Sequence, residues 1–121
     1  MSTIDVANIT DGTDTVATGY VINGSAKAWI NYYNHTSPTT IRKSFNVSST
    51  TDVSTGKTTV NLTSAMSDSD YQASGGCGDI GKFCTFSSFN TTSYRQCAWN
   101  PANEVDVNDF QNTSAIHGEL A

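Results

Sequence analysis

The segment 53–62 (VSTGKTTVNL) constrains the fold of this chain more than any other part of its sequence. Val53 approaches the residues Ser54-Thr55-Gly56-Lys57, and Val60 and Leu62 lie two positions apart beyond them. Residues two apart share one face of a strand, and glycine readily adopts the positive φ that a tight turn between antiparallel strands requires. The segment therefore predicts a β-hairpin with one apolar face.

Similar short stretches follow one another along the rest of the chain, with turn residues between them. They are rich in Thr, Tyr, Phe, Val and Ile, which suit a pleated and half-buried sheet. No stretch has a convincing helical period. We therefore predict an all-β protein whose further strands cover residues 27–33, 41–47, 71–76, 82–89 and 94–99, with one or two closing strands at Val105, Val107 and Ile116.

The composition limits how large a core such strands can build. Hydrophobic residues make up 36% of the chain and charged residues 14%, both below the shares of roughly 45–50% and roughly 25% that are usual in globular domains. A chain of 121 residues forms one domain, and with so few aliphatic residues it buries a thin core. We therefore expect an antiparallel β-sandwich or jelly-roll-like domain over residues 20–121 that is stabilised by oligomerisation.

Residues 1–19 differ from the predicted domain. Ile4, Val6 and Asn8 alternate weakly, and the segment then becomes polar, with a turn signal at Asp11-Gly12. Such a segment need not pack on its own chain. We predict an extended N-terminal arm or an edge strand.

Charge and targeting signals exclude several classes of function. The net charge of −5 and the lack of a basic run argue against nucleic-acid binding, because nothing would neutralise the phosphates. The first residues lack the positive and apolar regions of a signal peptide, and no apolar segment approaches the length of a membrane span. We expect a soluble protein that is made in a cytoplasm and needs no cofactor.

Residues capable of catalysis are few and lack the context that an active site needs. A serine nucleophile requires a histidine held by an acid, and His35 and His117 lie in no recognisable nucleophile motif. The acidic residues occur in polar, turn-like contexts, where aspartate is common for its turn hydrogen bonds. We therefore predict neither an enzyme nor a metal site. The carboxylates considered are Asp11, Asp14, Asp68, Asp70, Glu104, Asp106 and Asp109.

The chain contains three cysteines, Cys77, Cys84 and Cys97. Their spacing, and their distance in sequence from both histidines, do not fit a zinc site. Free cysteines are often buried as small hydrophobic residues, which is the interpretation we favour. Cys84 and Cys97 lie on neighbouring predicted strands, so a contact between them is conceivable. The sequence leaves open whether they form a disulfide.

Aromatic residues are the remaining candidates for a binding site. The segment 27–33 has apolar residues on both faces of the predicted strand, which indicates burial on both faces, or one face in the core and the other against a partner. We expect Trp29 to belong to the core. Tyr94 and Trp99, near the Asn100-Pro101 loop, could stack on sugar rings, with burial in the core as the alternative.

Several short motifs between residues 20 and 72 occur in a fixed order. They are Lys27-Ala28-Trp29, Ile41-Arg42 with Ser44, Asn46-Val47-Ser48-Ser49, Thr55-Gly56, Val60-Asn61 with Thr63, and Tyr71. In this order and spacing they resemble a β-rich module that recurs in virion structural proteins of tailed phages, often at the C-terminal end of tail fibres. The preceding DGTDTVATGYV is similar to the lead-in of that module, whereas segment 75–100 departs from it.

The resemblance implies a homotrimeric virion component without enzymatic activity. We expect it to be displayed on the particle as a fibre or spike tip, with other virion proteins as partners and a host surface glycan as a target of segment 75–101. The arm would attach it to the particle or exchange between subunits. We expect the chain to be complete, and its shortness relative to a fibre with a long shaft keeps a capsid cement protein as an alternative. A small carbohydrate-binding adhesin using Tyr94 and Trp99 is a second alternative, and an enzyme acting on surface polysaccharide is the last.

Overall fold

The chain folds into a β-sandwich preceded by a separate N-terminal segment. The computed structural model describes residues 2–34, 39–78, 81–102, 105–106 and 111–121, with the backbone alone at 105–106. The first segment contains strands β1 (Asn8–Thr10) and β2 (Thr15–Ala17) and helix α1 (Thr18–Gly24). The sandwich contains β3 (Ala26–Tyr33), β4 (Thr40–Phe45), β5 (Val47–Ser54), β6 (Lys57–Leu62), β7 (Gln72–Cys77), β8 (Phe83–Asn90), β9 (Ser93–Asn100), β10 (Val105–Asp106) and β11 (Gln111–His117).

Two antiparallel sheets pack against each other, which confirms the predicted all-β sandwich. The first sheet has the strand order β4-β3-β11-β7, so β4 and β7 are its edges. In the second sheet β9 is flanked by β6 and β8, β5 lies outside β6, and the short β10 pairs with the end of β9. Of the predicted closing strands, β10 contains Val105 and β11 contains Ile116, whereas Val107 lies outside the described residues.

The core lies between the two sheets and combines aliphatic side chains with tyrosines. The Tyr32 hydroxyl in β3 donates to Gln96 Oε1 in β9 at 3.2 Å, and the Tyr94 hydroxyl in β9 lies 2.7 Å from Ser114 Oγ in β11. Each of these bonds joins one sheet to the other, so the polar tips of both buried rings are satisfied. The buried hydrophobic side chains are Ala28, Ile30, Tyr32, Val60, Leu62, Met66, Tyr71, Tyr94, Ala98 and Ile116.

The predicted β-hairpin is present between β5 and β6. Ser54 pairs with Lys57, so Thr55 and Gly56 make the turn. Gly56 has a φ of 69°, a left-handed conformation that glycine adopts at no steric cost. The apolar face predicted for the second strand of the hairpin is buried in the core, as the alternation indicates.

The predicted strand 41–47 is in fact two strands that belong to different sheets. β4 ends before Asn46, which has a φ of 55°, and β5 begins after it in the second sheet. The Asn46 side chain holds this corner, because Nδ2 donates to the carbonyls of Lys27 (3.0 Å) and Ser64 (3.3 Å) while Oδ1 accepts from the Ser64 N–H at 2.7 Å. Asparagine tolerates left-handed backbone better than most residues. The alternation of apolar residues continues unchanged across Asn46, so it does not reveal that the chain changes sheet there.

Tyr71, the last residue of the motifs in 20–72, also holds the scaffold together. Its hydroxyl lies 2.9 Å from the carbonyl oxygens of both Asn90 and Ser93, which flank the turn between β8 and β9. Its ring meets Phe89 edge-on, with the ring centroids 5.2 Å apart. The position of Tyr71 is thus structural, as is that of Asn46.

Helix α1 departs from the prediction of strands alone, which rested on the lack of a helical period in the sequence. It has seven residues, no side-chain hydrogen bond at its N-cap and no buried residue. A helix this short shows neither the periodicity nor the capping residues by which helices are found in a sequence. It extends the exposed N-terminal segment to Gly24, beyond the predicted end of the arm at residue 19.

Candidate functional site

The N-terminal segment exposes apolar side chains that its own chain does not cover. We call residues 2–24, which hold the β1-β2 hairpin and α1, the arm; none of them is buried. An isolated hairpin and a two-turn helix are each marginal in water, and exposed apolar surface on such elements is typical of binding surfaces. The exposed large hydrophobic residues of the arm are Ile4, Val6, Ile9, Val16, Tyr20, Val21 and Ile22.

Local hydrogen bonds give the arm a defined shape. Both the backbone N–H and the hydroxyl of Thr18 donate to the Ala7 carbonyl, at 2.9 and 3.1 Å. In the turn between β1 and β2, the Asp11 carboxylate accepts from the N–H groups of Asp14 (2.8 Å) and Thr13 (2.9 Å). These backbone bonds lower the pKa of the Asp11 carboxyl. Asp11 therefore has a turn-forming role, and the hairpin of the arm has a defined conformation.

A groove of about 680 Å³ lies where the arm meets the sandwich. Its apolar walls come from α1, from Phe45 at the end of β4 and from Leu120 near the end of the chain. These side chains are exposed, with Phe45 at 54%. A groove of this size with apolar walls suits apolar side chains of another chain. We call it the junction groove, defined by Val21, Ile22, Lys27, Phe45, Asn46 and Leu120.

Lys27 connects the arm to the sandwich at the junction groove. The side chain is 8% exposed, and its Nζ donates to the carbonyl of Ile22, to the Ser25 carbonyl at 2.9 Å and to the Ser25 hydroxyl at 2.8 Å. Cations are favourable at the C-terminal end of a helix, where carbonyl oxygens lack helical partners. This contact ties the end of α1 to the first residues of β3, so the two walls of the groove are held in place.

Strand β4 provides a second exposed surface beside the junction groove. It is an edge of the first sheet and is exposed along most of its length. It carries Lys43 and Arg42, whose guanidinium lies 5.0 Å from the centroid of the Tyr33 ring and donates to Gln111 Oε1 at 3.1 Å. The arm, in contrast, contains three aspartates and neither lysine nor arginine. The arm and the β4 edge are therefore complementary in charge.

Trp29 lies on the outer face of the first sheet, so the expectation that it belongs to the core is wrong. β3 buries the alternate residues Ala28, Ile30 and Tyr32, whereas the Trp29 side chain is 37% exposed. Trp29 pairs across the strands with Phe45. Because Phe45 also lines the junction groove, an aromatic surface continues from the groove onto the outer face of this sheet.

The two predicted sugar-binding residues, Tyr94 and Trp99, lie on opposite faces of β9. Tyr94 is fully buried against Phe86, and burial raises the pKa of its phenol to about 12. Trp99 lies on the outer face, paired with the exposed Phe83 of β8. Side chains along a strand alternate between its two faces, so two residues that are five positions apart lie on opposite faces. A sugar-stacking surface in this segment would therefore consist of Trp99 and Phe83, and Phe83 was not predicted from the sequence.

Cys84 and Cys97 do not face each other. They lie on the paired strands β8 and β9, but Cys84 pairs with the buried Ala98, whereas Cys97 pairs with Thr85. Neighbouring positions along a strand point to opposite faces of the sheet, so Cys84 points inward and Cys97 outward. Two side chains directed apart in this way cannot form a disulfide. All three cysteines are free thiols in this structure.

The other residues considered for catalysis lie in turns or at the end of a strand, as far as the structure describes them. Asp68 Oδ1 accepts a turn hydrogen bond from the Asp70 N–H at 2.8 Å, and His117 ends β11. Among the described residues, no group of three or more His, Cys, Asp or Glu side chains is placed to hold a metal ion. Of the residues considered for catalysis, four have side chains outside the described part of the chain: His35, Glu104, Asp106 and Asp109.

The arm, the junction groove and the β4 edge are exposed surfaces that are candidates for binding. No helix in the described part of the chain is long and apolar enough to cross a membrane. No protein-family model matches this chain, and neither does a curated protein or a solved structure.

Proposed function

We propose that this protein is a non-enzymatic structural protein of a tailed-phage virion. It forms homotrimers that are displayed at the particle surface as a fibre or spike tip. The observation that carries this proposal is the arm, which exposes a series of apolar side chains and buries none of its residues on its own chain. The motifs of residues 20–72 support the class of protein.

In the proposed assembly, the arm of one subunit binds the junction groove and the β4 edge of the next. The hairpin of the arm presents Ile9 and Val16 side by side, and the groove presents Phe45 and Leu120. Covering apolar surface stabilises an interface by about 25 cal/mol for each Å² removed from water. An exposed edge strand is also a template for pairing with an extended segment of another chain.

The charges of the two surfaces also favour placing the arm of one subunit on the β4 edge of the next. The aspartates of the arm would approach Arg42 and Lys43 on the β4 edge. Opposite charges across an interface guide association and select the register of the two chains more than they add affinity. Two arms placed side by side would instead bring like charges together. An arm on the β4 edge of a neighbour is therefore the preferred arrangement.

A contact of this kind is compatible with a closed ring. The arm and the groove are different surfaces, so each subunit offers one surface to one neighbour and the other surface to a second neighbour. Contacts of this heterologous kind generate rings when the rotation closes. A trimer is the ring size that the resemblance to fibre modules implies. Light scattering on the purified protein tests it: we expect the mass of a trimer at micromolar concentration, and a stable monomer would contradict the proposal.

The place of the protein in the particle has one alternative within the same class. A capsid cement protein would use the same arm to clamp neighbouring capsomers. Mass spectrometry of separated heads and tails distinguishes the two. A few trimers in the tail fraction indicate a fibre or spike tip, whereas hundreds of copies in the head fraction indicate cement.

A second candidate function is glycan binding at the outer face of the second sheet. The supporting observation is the cross-strand pair of Phe83 and Trp99, of which Phe83 is 58% exposed. Aromatic rings at a surface stack on the apolar faces of sugars. A glycan array with purified protein tests this function, and Trp99→Ala should abolish binding. Trp29→Ala, on the outer face of the other sheet, is the matched control, and an array without hits removes the candidate.

A further inference from the structure

Cys77 and Cys84 lie at the point where the chain passes from one sheet to the other. Cys77 is the last residue of β7, an edge of the first sheet, and Cys84 is the second residue of β8 in the second sheet. β8 pairs with β9. The two cysteines thus stand on two strands that face each other across the open side of the sandwich.

Both side chains point toward the interior. Cys77 pairs with Asn112 of β11, which is fully buried, and Cys84 pairs with the buried Ala98 of β9. Cys77 Sγ lies 3.5 Å from Asn112 Oδ1 and 3.5 Å from the carbonyl oxygen of Phe83, the residue before Cys84. Each of the two thiols affects the pKa of the other, as is expected of neighbouring groups. The fold therefore brings these two sulfur atoms together and keeps the third cysteine, on the outer face, away from both.

We propose that Cys77 and Cys84 are a disulfide-forming pair, which links the two sheets covalently when the protein meets an oxidised low-molecular-weight disulfide such as oxidised glutathione. This pair replaces Cys84 with Cys97, the contact that the sequence made conceivable. The proposal does not depend on the proposed virion function, because it rests on the placement of two side chains within one chain.

The reaction is a double thiol–disulfide exchange. The Cys84 thiolate attacks oxidised glutathione, which forms a mixed disulfide and releases one reduced glutathione; the Cys77 thiolate then attacks the Cys84 sulfur and releases the second. Two protein thiols are oxidised, and their two protons and two electrons end on two glutathione molecules. Burial raises the pKa of the Cys77 thiol to about 11 and also raises that of Cys84. Little thiolate is therefore present at neutral pH, and the bond should form slowly.

The disulfide would join β7 to β8, two strands that belong to different sheets. No backbone ladder joins β7 to β8 in the described residues, because each pairs within its own sheet. A disulfide lowers the conformational entropy of the unfolded chain and so raises stability. We expect the oxidised protein to unfold at a temperature higher by about 5–10 °C than the reduced protein.

The test uses the full chain, purified under reducing conditions and then incubated with oxidised glutathione in its folded state. Peptide mapping of the oxidised protein should show Cys77 linked to Cys84, and Cys97 alone should react with an alkylating reagent. The intact mass should fall by two hydrogen atoms once any mixed disulfide has resolved. Heating after oxidation should give the higher melting temperature, and reduction should reverse it.

Two variants serve as matched controls. Cys97→Ser keeps both members of the pair, so it should form the same link and show the same gain in melting temperature. Cys84→Ser should form no internal link and gain nothing from oxidation. The proposal is overturned if Cys77 and Cys84 both remain open to alkylation in the folded wild-type protein after oxidation, or if the mapped bond contains Cys97.

Discussion

The arm and the sandwich contain the same kinds of apolar residue but use them differently. In the sandwich, Ile30 is 1% exposed and packs between the two sheets, whereas in the arm Ile22 is 58% exposed. Burying such a side chain is worth roughly 1.5–3 kcal/mol. The sandwich gains this free energy when it folds. The arm can gain it only when another chain covers it, which is why we assign folding to one region and assembly to the other.

The two regions also differ in how their polar groups are satisfied. The sandwich joins its sheets through buried side-chain hydrogen bonds, such as that between Tyr94 and Ser114. The arm satisfies its polar groups within its own turn, as Asp11 does with the N–H groups beside it. The stability of the sandwich therefore depends on single buried contacts, whereas that of the arm depends on whether another chain covers its surface.

The largest expected effect contrasts one isoleucine from each region. Ile30→Ala leaves a cavity in the core, and we expect it to lower the free energy of unfolding by about 3 kcal/mol. Ile22→Ala, made in the arm, should lower it by no more than about 0.5 kcal/mol. Urea unfolding measures both, at a protein concentration at which the chains are monomeric. Equal losses from the two variants would remove the distinction between the regions.

A smaller effect is expected at alkaline pH. The folded-state pKa of Tyr94 is raised to about 12, above the ordinary value of about 10 for a phenol, so the folded protein holds this proton more tightly than the unfolded chain. The resulting contribution is fully present below about pH 10 and is lost as the pH rises toward 12, a change of about 2–3 kcal/mol. Urea unfolding at a series of pH values measures it.

Tyr94→Phe should make this alkaline loss shallower, since the residue no longer titrates. A smaller loss should remain, because burial also raises the pKa of Tyr32. Tyr20→Phe, in the arm, is the matched control and should leave the pH dependence unchanged, because Tyr20 is 77% exposed. A Tyr94→Phe profile that superimposes on that of the wild-type protein would show that Tyr94 is not buried as described.

The next effect concerns the corner at Asn46, where the sandwich begins its second sheet. Asn46→Ala removes the hydrogen bonds to Lys27 and Ser64 and places a residue with a Cβ but no polar group at a positive φ. We expect a loss of about 2 kcal/mol. Asn46→Gly removes the same hydrogen bonds but tolerates the backbone, so it should lose about 1 kcal/mol. If the two variants lose the same free energy of unfolding, then tolerance of the left-handed backbone is not a reason for asparagine at this position.

Much of the sandwich could be predicted from the sequence because its strands are short and alternate. The hairpin at Gly56 follows directly from a glycine between two alternating segments. The corner at Asn46 could not be predicted, since Ile41 to Val47 keeps one alternation on both sides of it. The sequence does contain one indication of the corner, which is Asn46 itself. Asparagine and aspartate are enriched among the non-glycine residues that adopt a positive φ.

The functional surfaces were harder to predict than the strands. Trp29 stands in a strand that is apolar on both faces, and a sequence does not say which face meets the core. Tyr94 and Trp99 were grouped because they are close in sequence, although a strand directs them to opposite faces. Phe83 becomes a neighbour of Trp99 only through the pairing of β8 with β9, and strand register is a tertiary property.

The most direct test of arm-mediated assembly is sedimentation velocity over a concentration series, comparing the wild-type protein with two valine variants. Val21 in the arm and Val53 in β5 are both 44% exposed, so Val21→Asn and Val53→Asn remove equally exposed side chains. We predict a wild-type trimer, at least a roughly tenfold weaker association for Val21→Asn, and no change for Val53→Asn. A wild-type monomer, or a Val21→Asn trimer as stable as the wild-type one, would contradict assembly through the arm.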